Sequence, residues 1–345
     1  MVYCKNLFII IVTSIFIIGC SGDGSFDEAE KSSSNFDAAP PLGGSIVEND
    51  HGPYGQVNWM NADSFWRENP SLSSITLPGT HDSGTSNYGP GWAPTAKCQS
   101  VNINKQLEWG VRFLDLRIGF KGMKDPQICH GKAGTANRSL NEVLLGVRNF
   151  LTWFPSECVV LCFDYEYKDE QLKVINAINR LLYSNDYKNY VYDRPEVPHL
   201  NDVRGKMIYW RRYGSFGVAP GLRVAFASEA IFPLYEKAWL HIQDNYECSG
   251  STKWEFIERS FNNAMVFAGD ISGTVHLFIS FTSYYNAVPA PWSDGPRMNK
   301  KVMGAIVSRQ RNMNNVPIHL GIIASDYVNQ LDVLVMLWTN FLTPY

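Results

Sequence analysis

The stretch SITLPGTHD, residues 74–82, ends a short apolar run on an adjacent histidine and aspartate. The same construction recurs along the chain. VRFLDLRIG (111–119), QICHGKAG (127–134), CVVLCFDYEY (158–167) and GKMIYWRRYG (205–214) each close on polar or ionisable residues. So do WLHIQDNY (239–246), VHLFISFTS (275–283) and VPIHLGIIASDY (316–327). Runs of this length read as buried strands. Helical patterns lie between several of them. SLNEVLLGVRNFLTWFP opens on Ser139 and Glu142, the spacing of a capping box, and places Leu140, Val143, Leu144, Val147 and Leu151 on one face before Pro155 stops it. QLKVINAINRLL spaces Leu172, Ile175, Ile178 and Leu182 similarly. KKVMGAIVSRQRN and NQLDVLVMLWTNFL also suit helices, whereas the link between the fifth and sixth runs is unclear. Eight apolar strands with helical links predict an α/β fold, a single (β/α)8 barrel of the TIM type.

In such a barrel the reactive groups gather at the C-terminal ends of the strands, around one mouth. His81, Asp82, Arg117, His130, Asp164, Arg212, Asp244 and Asp326 all fall at such ends. Two histidines and an arginine supply a general base, a general acid and an anion clamp. Imidazole serves in either protonation state near neutrality, and guanidinium stays charged while gripping phosphate oxygens. Carboxylates beside the imidazoles would fix their tautomers and raise their basicity. The set suits phosphodiester cleavage.

A chain of 345 residues is long enough for one large core. A formal charge of −3 argues against a nucleic-acid scaffold. The first residues read as a targeting segment: Lys5 is basic, residues 7–18 are almost wholly apolar, and IIGC ends at Cys20. This looks like a bacterial lipobox, with Cys20 as the lipidated first residue of an exported lipoprotein held at the membrane of the cell envelope. The expected organisation is a signal over residues 1–19, lipidated Cys20 with a Ser/Gly/Asp/Pro-rich tether over 20–55, and the barrel over 56–345. Besides Cys4 and Cys20, the cysteines are Cys98, Cys129, Cys158, Cys162 and Cys248. In an exported chain some of these can pair, while Cys158 and Cys162 read as buried thiols. His51, His199, His241, His276 and His319 read as structural.

LPGTHDSGT, RFLDLRIG with CHG following, WRRYG, QDNY, FTS and SDY resemble, in order and approximate spacing, the bacterial phosphatidylinositol-specific phospholipases C. The resemblance runs from about residue 71 to 329. It implies a distorted β/α barrel, in agreement with the strand count. It also implies residue roles. His81 matches the general base that takes the proton from the inositol 2-hydroxyl, and Asp326 the carboxylate that orients it. His130 matches the general acid that protonates the diacylglycerol oxygen, supported by Asp82. Arg117 matches the arginine that stabilises five-coordinate phosphorus. Arg212, Asp244 and Tyr246 match residues that hold and stack on the inositol ring, and Asp115 should point into the same mouth. The substrate implied is phosphatidylinositol, or a glycosyl-phosphatidylinositol anchor, cleaved to diacylglycerol and inositol 1,2-cyclic phosphate by a monomer at a membrane surface.

Asp164 stands where the family usually carries lysine. It reads as a hydrogen-bond partner of an inositol hydroxyl or a salt link to Arg117. Arg117 fills the place of the metal in calcium-dependent relatives, so no metal or other cofactor is expected; Asp82, Asp115 and Asp164 are the set that would attract a divalent ion such as calcium. Trp92 and Trp292, in Gly/Pro-rich loops, are expected at the rim, where tryptophan suits a lipid interface. Two other readings compete: a metal-dependent glycerophosphodiester phosphodiesterase, and a surface lipoprotein that binds inositol lipids without turnover.

Overall fold

The structure, a computed structural model, describes residues 56–341 apart from 90, 92, 215–219, 269–271, 287, 289 and 315. The expected signal, lipidated Cys20, tether and His51 lie outside the described residues, as does Trp92. The strands are β1 (Leu77–Thr80), β2 (Phe113–Gly119), β3 (Gln127–His130), β4 (Gly134–Ser139), β5 (Val159–Tyr165) and β6 (Val191–Tyr192). They continue with β7 (Met207–Arg211), β8 (Leu222–Arg223), β9 (Glu229–Tyr235), β10 (Ala238–Gln243), β11 (Val275–Phe281) and β12 (Ile322–Ser325). One curled sheet runs in the order β6-β7-β5-β2-β1-β12-β11-β10-β9. Its contacts are parallel from β6 to β10, and β9 returns antiparallel to β10.

The α/β barrel architecture holds, with a change of stave. Seven of the eight apolar runs are the parallel strands β1, β2, β5, β7, β10, β11 and β12. The third run, carrying His130, is β3, which turns back antiparallel on β2 (Ile118 opposite Ile128) and forms a hairpin with β4. The free edge of β7 is covered in two short pieces, β6 beside Met207–Ile208 and β8 beside Trp210–Arg211. Among the described residues no ladder joins β8 to β9. The chain crosses that gap instead: Val224 N donates to Arg211 O at 2.9 Å and Asp244 N to Ser228 O at 2.9 Å. The unclear link between the fifth and sixth runs is thus β8 and the β9–β10 hairpin, where a helix would stand in a regular barrel.

Helices cover the outside where the periodicity places them. The helix Leu140–Trp153 starts with the full Ser139/Glu142 capping box, a feature worth about 1 kcal/mol, and buries its apolar stripe. The helix Gln171–Leu182 buries Val174, Ile178 and Leu182. Leu172, expected on that stripe, is exposed, because two residues of helix carry it to the face opposite Val174. The helix Gly250–Phe267 packs on β10 and β11, Gln330–Trp338 lies against β1, and Pro291–Asn312 packs against both of these helices. Ile257, Phe261, Met298, Val302 and Ile306 make a satellite core against Ile323. Among the described residues no helix is long and apolar enough to cross a membrane. Cys98, Cys129, Cys158, Cys162 and Cys248 are all free thiols, and the first four are buried.

At the closed end of the barrel Arg112 and Glu157 form a fully buried ion pair, Nη2 to Oε2 2.9 Å. Arg112 also donates to the carbonyls of Leu107, Val111 and Val57, so its donors are spent on groups that burial would otherwise leave unpaired.

Candidate active site

The ends of β1 and β12 lie side by side, with Thr80 opposite Ser325. The next residue on each chain, His81 and Asp326, therefore projects from the same rim. His81 Nδ1 lies 2.7 Å from Asp326 Oδ1. Gln99, fully buried, ties the two strand ends together: its Nε2 donates to His81 O at 2.7 Å and to Ser325 O at 2.9 Å. Asn299, on the helix Pro291–Asn312, donates to Asp326 O at 2.9 Å. Gly295, one turn earlier, packs against Asp326, and any Cβ there would come within 2.9 Å of the Asp326 Cβ.

Asp82 takes a left-handed backbone, φ 43°, which aspartate tolerates better than most residues. That turn aims its carboxylate back across the mouth. Oδ2 stands 3.2 Å from His81 Nε2 and 3.1 Å from His130 Nε2, while Oδ1 is 2.9 Å from Arg117 Nε. One buried carboxylate thus touches both histidines and the arginine. His130 reaches it because β3 doubles back along β2, carrying its last residue toward Arg117.

Burial alone would lower the His81 pKa, but Asp82 and Asp326 outweigh it and raise the ring to about 9. Burial would likewise raise Asp82; Arg117, then His81 and His130, instead hold it well below the usual carboxylate range. Arg117 is pushed up, the pull of Asp82 and Asp115 exceeding the cost of burial. Arg117 Nη2 also lies 3.0 Å from His81 Nε2. A protonated ring points that nitrogen at Asp82; a neutral ring can accept from Arg117. The proton on His81 therefore selects its partner.

Arg212 follows β7 and gathers three acids: Asp115 at 3.3 Å, Asp164 at 3.6 Å and Asp244 at 3.6 Å. Phe226, from the segment that crosses the gap, lies under its guanidinium at 3.7 Å. Burial raises Asp164 and Asp244 despite Arg212. Asp164 thus pairs with Arg212, correcting the expected link to Arg117. Asp115 corrects a second expectation. It is fully buried beneath Arg117 and Arg212 and accepts from Asp82 N at 3.2 Å, so it supports the mouth from below and does not line it. Asp82, Asp115 and Asp164 do not bring ligand oxygens together: each faces a guanidinium, and among the described residues they form no group of converging donors.

Above these groups opens a cleft of about 430 Å³, lined by His81, Arg117, His130, Arg212, Asp244 and Asp326 together with Asp164, Glu166, Tyr246 and Tyr284. Tyr246 is half exposed, its ring leaning on Tyr285. Trp292 stands beside Pro291, which also lines the cleft, with 57% of its surface open. Sequence reasoning missed Glu166, whose Oε1 accepts from Gly131 N at 2.6 Å next to His130. Its alternation with Asp164 along the end of β5 was the available signal. Gln99, Asn299 and Phe226 carried no signal at all.

Residues 75–213 match the family model described as phosphatidylinositol-specific phospholipase C, X domain. The segment spans β1 to β7 and holds His81, Asp82, Arg117, His130 and Arg212, whereas Asp244, Tyr246 and Asp326 lie beyond it. The chain is 33% identical over 165 residues to a 1-phosphatidylinositol phosphodiesterase of Listeria monocytogenes, a match covering 44% of this chain and 47% of that protein. It is 26% identical over 240 residues to the protein of the same name from Staphylococcus aureus, covering 66% and 74%. Among solved structures, the phosphatidylinositol-specific phospholipase C of Listeria monocytogenes superposes with a TM-score of 0.67 at 24% identity, covering 83% of this chain and 99% of that one. The Staphylococcus aureus enzyme gives 0.71 at 21%, covering 84% and 98%. The two structural likenesses cover more than four fifths of this chain, so the shared fold extends well past the segment 75–213.

Proposed function

We propose that this chain is a phosphatidylinositol-specific phospholipase C, a phosphatidylinositol diacylglycerol-lyase. The observation that carries the reading is the Asp82 carboxylate, which joins His81, His130 and Arg117 around one cleft, all four within the segment that matches the X-domain model. Neutral His81 Nε2 takes the proton of the inositol 2-hydroxyl, and that oxygen attacks phosphorus. The bond to the diacylglycerol oxygen breaks as His130 gives that oxygen its proton. The products are inositol 1,2-cyclic phosphate and diacylglycerol, and proton transfer returns both imidazoles to their starting states. Arg117 releases His81 to face the phosphate and offsets the charge that gathers on its oxygens. No metal ion is required, because a fixed guanidinium supplies that positive charge.

Asp326 orients His81, and Asp82 steadies His130 across the mouth. Arg212 and Asp244 hold inositol hydroxyls, with Tyr246 against the ring and Asp164 bonded at its edge. Lipidated Cys20 and rim Trp292 hold the cleft at a membrane, as in an exported bacterial lipoprotein acting as a monomer. Phosphatidylinositol is the substrate on this reading, and glycosyl-phosphatidylinositol anchors, which share the group that is cleaved, are the alternative.

Phosphorus NMR of the chain with phosphatidylinositol micelles in excess chelator tests the proposal. A cyclic inositol phosphate signal is expected, and His81→Ala or His130→Ala should remove it while leaving the fold intact. Turnover that appears only after calcium is added would overturn the metal-free mechanism. Absence of product in both conditions would overturn the lyase.

A further inference from the structure

Cys98 has no part in the chemistry above, yet it borders the same cleft. Its thiol stands 3.9 Å from Asp82 Oδ2, and one donor atom each from His81, Asp82 and Cys98 lie within 4.8 Å of one another. We propose that this trio is a site for a thiophilic divalent cation, zinc or cadmium, and that an ion bound there shuts down the catalytic centre.

One sulfur, one imidazole nitrogen and one carboxylate oxygen suit zinc and its heavier congener, and suit calcium or magnesium poorly. The three protein donors leave a fourth position for water, as zinc commonly accepts. His81 Nδ1 is held by Asp326 at 2.7 Å, so Nε2 is the nitrogen left for a metal. A carboxylate behind a ligating imidazole fixes its tautomer and strengthens it as a ligand. Charge also balances: the ion displaces the Cys98 proton to solvent, and thiolate plus carboxylate neutralise its two positive charges. The principal obstacle is Arg117, whose Nη2 is 3.0 Å from His81 Nε2 and must swing clear. A bound ion thereby removes the base and the anion clamp together. Inhibition rests on the phospholipase reading; metal binding does not.

Cadmium titrated into the full chain should raise a thiolate-to-cadmium charge-transfer band in the ultraviolet that saturates at one equivalent. Cys98→Ser should lose the band, and Cys248→Ser, which removes the one partly exposed thiol among the described residues, should keep it. No band in the native chain, or a band that survives in Cys98→Ser, overturns the site. X-ray absorption at the zinc edge of the native chain needs no variant: one sulfur at about 2.3 Å with nitrogen and oxygen at about 2.0–2.2 Å is expected, and a shell without sulfur overturns the site. Zinc should then inhibit phosphatidylinositol turnover by the native chain at concentrations at least ten-fold below those needed for Cys98→Ser; equal sensitivity overturns the inhibitory role. A chain that binds the ion but never turns over phosphatidylinositol would leave the metal site standing and sink the lyase.

Discussion

His81 Nδ1 and Asp326 Oδ1 are 2.7 Å apart, although 245 residues separate them in the chain. The contact raises the basicity of the ring and fixes which nitrogen faces the cleft. With the free His81 near pKa 9, kcat/KM should climb as pH rises from neutrality toward about 9, since the base works only when neutral. Asp326→Asn should move that limb to lower pH and reduce kcat by roughly 10²–10⁴-fold. A pH–rate profile with an unmoved limb would refute the assignment.

The same shift links to stability. His81 is raised from 6.5 to about 9 on folding, so its contribution is fully present below pH 6.5 and disappears as pH rises through about 9. Denaturant unfolding at pH 6 and pH 10 should show this loss, of order 3 kcal/mol at most. In His81→Gln the His81 component of the difference should be gone.

Gln99 lengthens the β1–β12 pairing by one rung and so sets the distance between His81 and Asp326. Gln99→Met keeps the volume but removes the donor. It should cost about 1 kcal/mol of stability by taking the side-chain donor from His81 O, while Ser325 O keeps its bond from His81 N. Beyond that, kcat per folded molecule should fall about ten-fold, with KM nearly unchanged, a loss of ~1.4 kcal/mol of transition-state stabilisation. A stability loss with normal kcat would reduce Gln99 to a purely structural part.

Arg112 and Glu157 test the far end of the barrel. Glu157→Gln leaves Arg112 charged and fully buried, with its carboxylate partner gone. Unfolding free energy should drop by about 3–5 kcal/mol. The active-site pH profile should not change, because this pair lies at the opposite end of the strands.

Trp292 offers an indole at the rim, more than half exposed. Trp292→Ala should weaken binding to phospholipid vesicles about ten-fold, while turnover of a soluble inositol phosphodiester stays within two-fold of the native chain, a gap of less than ~0.5 kcal/mol. Unaltered vesicle binding in a sedimentation assay would assign the side chain to loop packing.

The single sequence sufficed for what is local or strongly patterned. Apolar runs of strand length marked seven of the parallel strands, the Ser139/Glu142 spacing marked a helix start, and polar run-ends marked the mouth. Those signals arise within a few residues of chain, from side-chain periodicity and capping. Tertiary structure decided the rest. An apolar run carries no direction, so only pairing revealed that β3 turns back on β2 and brings His130 to Asp82. Alternation put Asp115 on the inner face, but the two guanidinium groups stacked above it determined that it is buried. Asp164 faces Arg212 because the chain after β7 lies beside β5, a matter of register between distant segments. Gln99, Asn299 and Phe226 look like ordinary loop and helix residues until the strand ends they support are in place. A strand's existence is set by its own residues; which carboxylate meets which imidazole is set by long-range register, fixed only when the whole sheet curls into the barrel.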